Sequence, residues 1–166
     1  MGVQPLEIKS IHQLLVEISR QRLQRGWALI AMPFQGVLFQ FTVGLAESQR
    51  HKELEVVGLD QPTGQDLLET LVAQVQAGQR LEAGMFFSSL LPGKDLFLVE
   101  NPVDPSGPPT TQGRLRLIWP DEGHHYPWQP QCTPECARQA LILGDEGLDA
   151  ESLRLLMAHS EEIGRA

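Results

Sequence analysis

Val37-Leu-Phe-Gln-Phe-Thr-Val-Gly44 puts Val37, Phe39, Phe41 and Val43 on one side and Leu38, Gln40 and Thr42 on the other. Side chains of an extended chain point to alternate faces, so this period of two predicts a strand. Residues 33–36, Pro-Phe-Gln-Gly, supply a turn before it. Residues 27–32, Trp-Ala-Leu-Ile-Ala-Met, make an apolar run too short for a helix. The two runs together read as a hairpin. Upstream, Ser10 and Gln13 have capping-box form, Ile11, Leu14, Leu15 and Ile18 repeat at helical spacing, and Gly26 suits a C′ position. A helix over 11–25 follows. Downstream, residues 54–59 read as a third strand. Thr63, three residues before Asp66, opens a second helix whose stripe is Leu67, Leu68, Leu71, Val72 and Val75, ending at Gly78.

Residues 95–100 and 114–119 read as further strands. The segment 101–113 between them holds four prolines and two glycines and reads as a surface connection. Residues 140–143 suit a short last strand, and Asp149 can cap a third helix over 150–163 with Leu153, Leu156 and Met157 inward. No internal repeat is visible. The pattern predicts an α+β fold: a mostly antiparallel sheet of about five to seven strands, flanked by about three helices, in a single domain. Residues 1–130 form its body, and 131–166 a C-terminal extension with a helix packed on the same domain.

Thirteen basic residues against 21 acidic ones give a formal charge of −8 and an isoelectric point near 5.0. Such a balance repels phosphate backbones and anionic lipid, so nucleic acid and membranes are not expected partners. The nearest basic group, Arg20, Arg22 and Arg25, has the spacing of a solvated helix face. No run is long and apolar enough to span a membrane. Glu7, Lys9 and Glu17 interrupt the first apolar pattern, unlike a signal peptide, and two cysteines are too few for a disulfide scaffold. The expected location is the cytoplasm.

Trp119-Pro-Asp-Glu-Gly-His-His-Tyr-Pro-Trp128 concentrates the chemistry: two of three tryptophans, the only tyrosine and two of five histidines. Large aromatics with polar tips on a punctuated loop either cap a core or wall a pocket for a planar ligand, and the sequence leaves both open. His51 and Glu53 stand two apart, a spacing that shares one face of an extended segment and suits an acid–base pair, a ligand contact or a loop-ordering bond. Thr42, Gly44 and Gly58 are small residues near strand ends, suited to close approach of a ligand or to crowded packing. Cys132 and Cys136 are separated by three residues including Pro134, and adjacent His124 and His125 rarely aim at one ion, so no metal site is expected. The role of the two cysteines stays open. No nucleophile elbow, phosphate-binding loop or dinucleotide turn appears, and the cofactor stays open.

Four patches together resemble the bacterial domain-of-unknown-function family numbered 4262. They are Gly26-Trp27, Phe41-Thr-Val-Gly-Leu45, His51-Lys-Glu-Leu54 leading into Val56-Val-Gly-Leu59, and Leu117-Ile-Trp-Pro-Asp121 running on to Pro127-Trp128. Ala77-Gly-Gln-Arg-Leu-Glu-Ala-Gly84 is similar to the family's helix exit. The resemblance spans roughly residues 11 to 130. Phe41 stands where the family usually has tyrosine, Lys52 replaces a proline, and His124-His125 fills a variable position. The resemblance implies a bacterial cytoplasmic protein and assigns no catalytic residue.

The expected function is binding of a small molecule or a protein partner through Trp119, Asp121, His125, Tyr126 and Trp128, joined by His51 and Glu53. The alternatives are a small enzyme, hydrolytic or flavin-assisted, with His51 or His125 as general base and Asp121 orienting it, and a homodimeric interaction module using an exposed sheet edge such as residues 95–100.

Overall fold

The alternating run becomes one strand of a six-stranded sheet in the computed structural model, which describes residues 11–34, 36–101 and 114–140. Helix α1 (Ile11–Arg25) ends at Gly26, whose φ of 87° turns the chain into β1 (Ala28–Phe34). Strand β1 pairs antiparallel with β2 (Val37–Val43), from Ala28 opposite Val43 to Phe34 opposite Val37. A single turn, α2 (Leu45–Ser48), precedes β3 (Glu53–Val57), which pairs antiparallel with β2. Helix α3 (Gln61–Gln76) then crosses to a hairpin of β4 (Phe86–Leu91) and β5 (Lys94–Asn101). Strand β6 (Arg114–Ile118) inserts between β5 and β3, antiparallel to the first and parallel to the second. A loop leads to α4 (Pro134–Ala137) and a 3-10 turn, Arg138–Ala140.

The order β1-β2-β3-β6-β5-β4 makes two antiparallel three-strand halves that meet along the parallel β3–β6 seam. The fold is therefore the expected α+β domain with a mostly antiparallel sheet. On one face, Leu54, Val56, Leu96, Leu98, Leu115 and Leu117 pack with Leu67, Leu68, Leu71, Val72 and Val75 of α3. Complete burial of such a side chain stabilises by about 1.5–3 kcal/mol. On the other face, Phe39, Phe41 and Val43 pack with Ile30 and Met32 against Leu14 and Ile18 of α1. Both faces of β2 are thus covered, although only one was expected to be strongly apolar.

Three expectations are corrected. Helix α3 starts at Gln61, and its cap is Asp60, whose carboxylate accepts the Thr63 N–H at 3.1 Å; Pro62 in the first turn fixes the helical φ, so Thr63 lies inside the helix. Strand β4 was not anticipated, because Phe86-Phe-Ser-Ser-Leu-Leu91 does not alternate. Residues 95–100 do not form a sheet edge: β5 is flanked by β6 and β4, and among the described residues β4 holds the edge. Of the strand expected over 140–143, Ala140 belongs to the 3-10 turn, and residues 141–143, like the helix expected over 150–163, lie outside the described residues.

Candidate functional site

The loop after β6 folds around one carboxylate. Asp121 is buried; its Oδ1 accepts the His125 N–H at 2.8 Å and its Oδ2 the Thr133 N–H at 2.9 Å. The Asp121 N–H returns to His125 O, and the His124 N–H to Asp121 O, both at 2.9 Å. The His125 amide above all, opposed by burial and helped by Thr133, holds this carboxyl below the ordinary aspartate range. The His125 ring places Nδ1 3.4 Å from the same Oδ1. Asp121 is thus spent mainly on closing the loop, and the ring contact is one of three demands on it.

Trp119 and Trp128 part company. Trp119 is 7% exposed, belongs to the core beneath α3, and donates its indole N–H to Val57 O at 2.8 Å. Its ring presses on Gly58, where an added Cβ would stand 3.1 Å from Cζ2 and where φ is 93°. Gly58 is therefore a packing glycine. Tyr126 and Trp128 lie over Phe97, on the opposite face: the neighbour of Trp119, Ile118, pairs with Phe97, and successive residues alternate. Tyr126 and Trp128 stack with centroids 5.0 Å apart and planes 5° from parallel. Both meet Phe97 edge-on, at 5.2 and 6.2 Å, and Phe97 meets Phe86 at 6.0 Å. The Tyr126 hydroxyl donates to Asp95 O at 2.7 Å; burial, then the Asp95 charge, raises its pKa and keeps it a neutral donor. Trp128 remains 59% exposed and Phe86 62%, so this aromatic group is a surface, not a core.

His51 and Glu53 are elsewhere and apart from each other. His51 is buried, with Nδ1 2.8 Å from Lys52 O and Nε2 accepting the Leu81 N–H at 2.9 Å. With Nε2 accepting, Nδ1 is the donor to Lys52 O, and the ring ties the helix exit to the start of β3. A cleft of about 270 Å³ lined by Lys52, Arg80, Glu82 and Glu100 adjoins it, but both ring nitrogens are already committed. Glu53 turns to the other side: it accepts the Thr42 hydroxyl at 2.8 Å and the N–H groups of Gly44, Leu45 and Ala46 at 3.0–3.1 Å. Burial pushes its carboxyl above the ordinary glutamate range, against the pull of those four donors. Thr42 and Gly44 thus serve this knot. The register of β3 with β6 sets Glu53 beside Arg114, at the end of the seam remote from Trp119. At about 3.3 Å per residue, His51 and the aromatic loop are roughly 20 Å apart.

The Cys136 thiol bonds to Trp119 O and His125 O, and burial pushes its pKa up to about 11. It is a packing thiol at neutral pH. Among the described residues, no group of three or more His, Cys, Asp or Glu side chains is placed to hold a metal, and no helix is long and apolar enough to cross a membrane.

Of the seven residues read as one contact surface, the structure brings Asp121, His125, Tyr126 and Trp128 together and separates Trp119, His51 and Glu53 from the exposed face. It adds Phe86 and Phe97, which the sequence reading missed. The Leu91-Pro-Gly-Lys94 turn was the signal available: it marks a hairpin whose arms carry both phenylalanines.

Fold and surface define an α+β domain whose polar loop chemistry is spent on holding its own backbone and whose exposed aromatic side chains gather near one sheet edge. The chain belongs to a family of domains of unknown function, DUF4262, whose model matches residues 23–106. That range runs from the end of α1 through β5, so it contains Phe86 and Phe97 but stops short of the fourth patch, with Trp119, Tyr126 and Trp128. No curated protein and no solved structure matches the chain.

Proposed function

We propose that this domain is a cytoplasmic protein-binding module that accepts an extended, basic segment of a partner along β4, with Trp128 and Phe86 as its anchors. The observation that supports it is the contrast between the two sheet edges. At the β1 edge, α1 stands guard: the Gln21 side chain accepts the Leu29 N–H at 2.7 Å. At the β4 edge, Phe86-Phe-Ser-Ser-Leu-Leu91 carries no charge and no proline, Ser88 and Ser89 are exposed, and a register shift between Phe87 and Leu91 interrupts the pairing with β5. Monomeric proteins normally blunt such edges, because unpaired backbone groups recruit another strand. An aromatic surface beside an edge that no other described strand pairs with matches strand addition, in which the backbone supplies affinity and the side chains supply choice. Exposed Glu82 and Asp95 near this edge, and the charge of −8, favour a cationic segment over nucleic acid. Cys132 and Cys136, both free thiols, suit a reducing compartment.

The test is selection of a random linear peptide library on the purified chain. Enriched peptides should be basic and rich in β-branched residues. Ser89→Lys should abolish their binding, and Trp128→Ala should weaken it about tenfold or more, both at parental melting temperature. Peptides that bind both variants as well as the parent would overturn the reading. So would a concentration-dependent dimer abolished by Ser89→Lys, which would make a second copy of the chain the occupant.

A further inference from the structure

The carboxylates of β5 and of the loop after β6 differ in what they already hold. Glu100 pairs with Lys52 at 2.8 Å and Glu122 with Lys94 at 2.9 Å. The exposed Asp95 carboxylate has no partner among the described residues; the bond from the Tyr126 hydroxyl, at 2.7 Å, goes to its backbone oxygen. Asp95 and Phe97 stand two apart on β5, so both side chains project on the aromatic face. The Tyr126 pKa rises through burial and then through the Asp95 charge, which sets that carboxylate near the hydroxyl end of the stack. Between Leu96, paired with Phe87, and Lys94, paired with Leu91, three residues of β4 stand against Asp95 alone. Two of them are the exposed Ser88 and Ser89, so the side chains between the edge and Asp95 are small.

Trp128 offers the other half of a site. The centroids of Tyr126, Trp128 and Phe97 stand 5.0, 5.2 and 6.2 Å apart, so Phe97 lies beside the stack and not on top of it. Tyr126 therefore covers one face of the indole, and with 59% of Trp128 exposed the second face is open. An exposed indole face attracts a cation, arginine more often than lysine, because a planar guanidinium stacks and still presents its N–H edge to a carboxylate. A strand added at β4 would lie about 10 Å from β5, twice the interstrand spacing, a gap that only a long side chain crosses. Building on the strand-addition reading above, we infer that Trp128 and Asp95 form a subsite for one arginine of the partner segment, its guanidinium flat on the indole and its N–H fork on the Asp95 carboxylate. A neutral sugar could stack on the same face but would leave the Asp95 charge unpaired.

The probe is an acetylated, amidated pentapeptide, valine-threonine-arginine-threonine-valine, with lysine or citrulline in the central place of two companions. Citrulline keeps the planar shape of arginine and loses its charge. Binding is followed by the indole N–H resonance of Trp128, assigned as the one missing from Trp128→Ala. The arginine peptide should move that resonance and bind about tenfold more tightly than either companion. Asp95→Asn should melt with the parent, since its carboxylate has no partner to lose, and should bind the arginine peptide no better than the citrulline one. Ser89→Lys should abolish binding of all three peptides, as the strand reading requires. Equal binding of the arginine and citrulline peptides by the parent, with Ser89→Lys still abolishing both, would overturn the subsite and leave the strand reading standing. If no peptide binds, yet millimolar N-acetyl-arginine amide moves the Trp128 indole in the parent and not in Asp95→Asn, the strand reading falls and the subsite stands. An indole that neither the peptides nor arginine amide move, or that glucose moves further, would overturn the inference.

Discussion

Four donors converge on the Glu53 carboxylate inside a pocket only 6% exposed, and the geometry leaves no room for a donor in return. Glu53→Gln keeps the volume but faces an NH2 group toward backbone N–H groups. We expect a loss of about 1–3 kcal/mol by denaturant unfolding, the cost of a buried group left unpaired. Asp121 behaves differently with pH. Its folded pKa lies below the ordinary aspartate value of about 3.9, so its contribution is fully present above that value and lost as pH falls through the lower folded one. The amides of His125 and Thr133 should therefore lose exchange protection in acid. Asp121→Asn should lack that acid step and show the weaker protection at neutral pH. Residue spacing alone misled at His51 and Glu53: β3 begins at Glu53, so His51 lies on the preceding loop, where two-residue alternation does not apply. It misled again at Trp119 and Trp128, because strand alternation sends the ring at the end of β6 to one face and the loop returns over the other.

Gly64 lets α3 lie against the sheet. A Cβ there would stand 1.9 Å from Gln40 Nε2 and 2.7 Å from its Cδ. Gly64→Ala should then destabilise the chain by about 1–3 kcal/mol through overpacking, despite alanine's better helix propensity. Gln40→Ala in the same chain should recover most of that loss in a double-mutant cycle, since it removes the obstructing side chain. Simple addition of the two effects would show that the strain lies in the backbone instead. Elements of this kind were legible where the sequence repeats with a clean period. The stripe of α3 and the alternation of β2 both report a face pressed on a core. Strand β4 presses Phe87, Leu90 and Leu91 on the core, but its register against β5 shifts between Phe87 and Leu91, and Phe86, Ser88 and Ser89 are exposed, so the buried positions do not alternate. The single-turn helices α2 and α4 are shorter than any period. They form because Gly44, with φ 109°, redirects the chain and Thr133 caps the Cys136 N–H.

The two halves of the sheet are local antiparallel units, and the parallel β3–β6 seam is where sequence-distant segments must find each other. Leu54 and Val56 meet Leu115 and Leu117 on one face of the seam. On the other, Glu55 faces Arg116 at 2.5 Å and Arg114 at 3.5 Å, with all three side chains under 10% exposed. Phe39 and Phe41 of β2 lie beside the two guanidiniums, at 5.9 and 5.7 Å. A buried carboxylate between two arginines stabilises little over an apolar set of equal volume, because each charge has lost its water. What it does is penalise misalignment: a one-residue slip would carry Glu55 to the leucine face and leave the arginines unpaired. Glu55→Ala should therefore cost about 3–5 kcal/mol and lower the melting temperature by roughly 10 °C. Replacing Glu55, Arg114 and Arg116 together by methionine or leucine should restore or exceed the parental melting temperature. If register is the function of the triad, the apolar triple variant should show broadened or doubled amide resonances along β3 and β6, although it melts no lower. A triple variant with one sharp set of resonances would assign register to the leucine face alone.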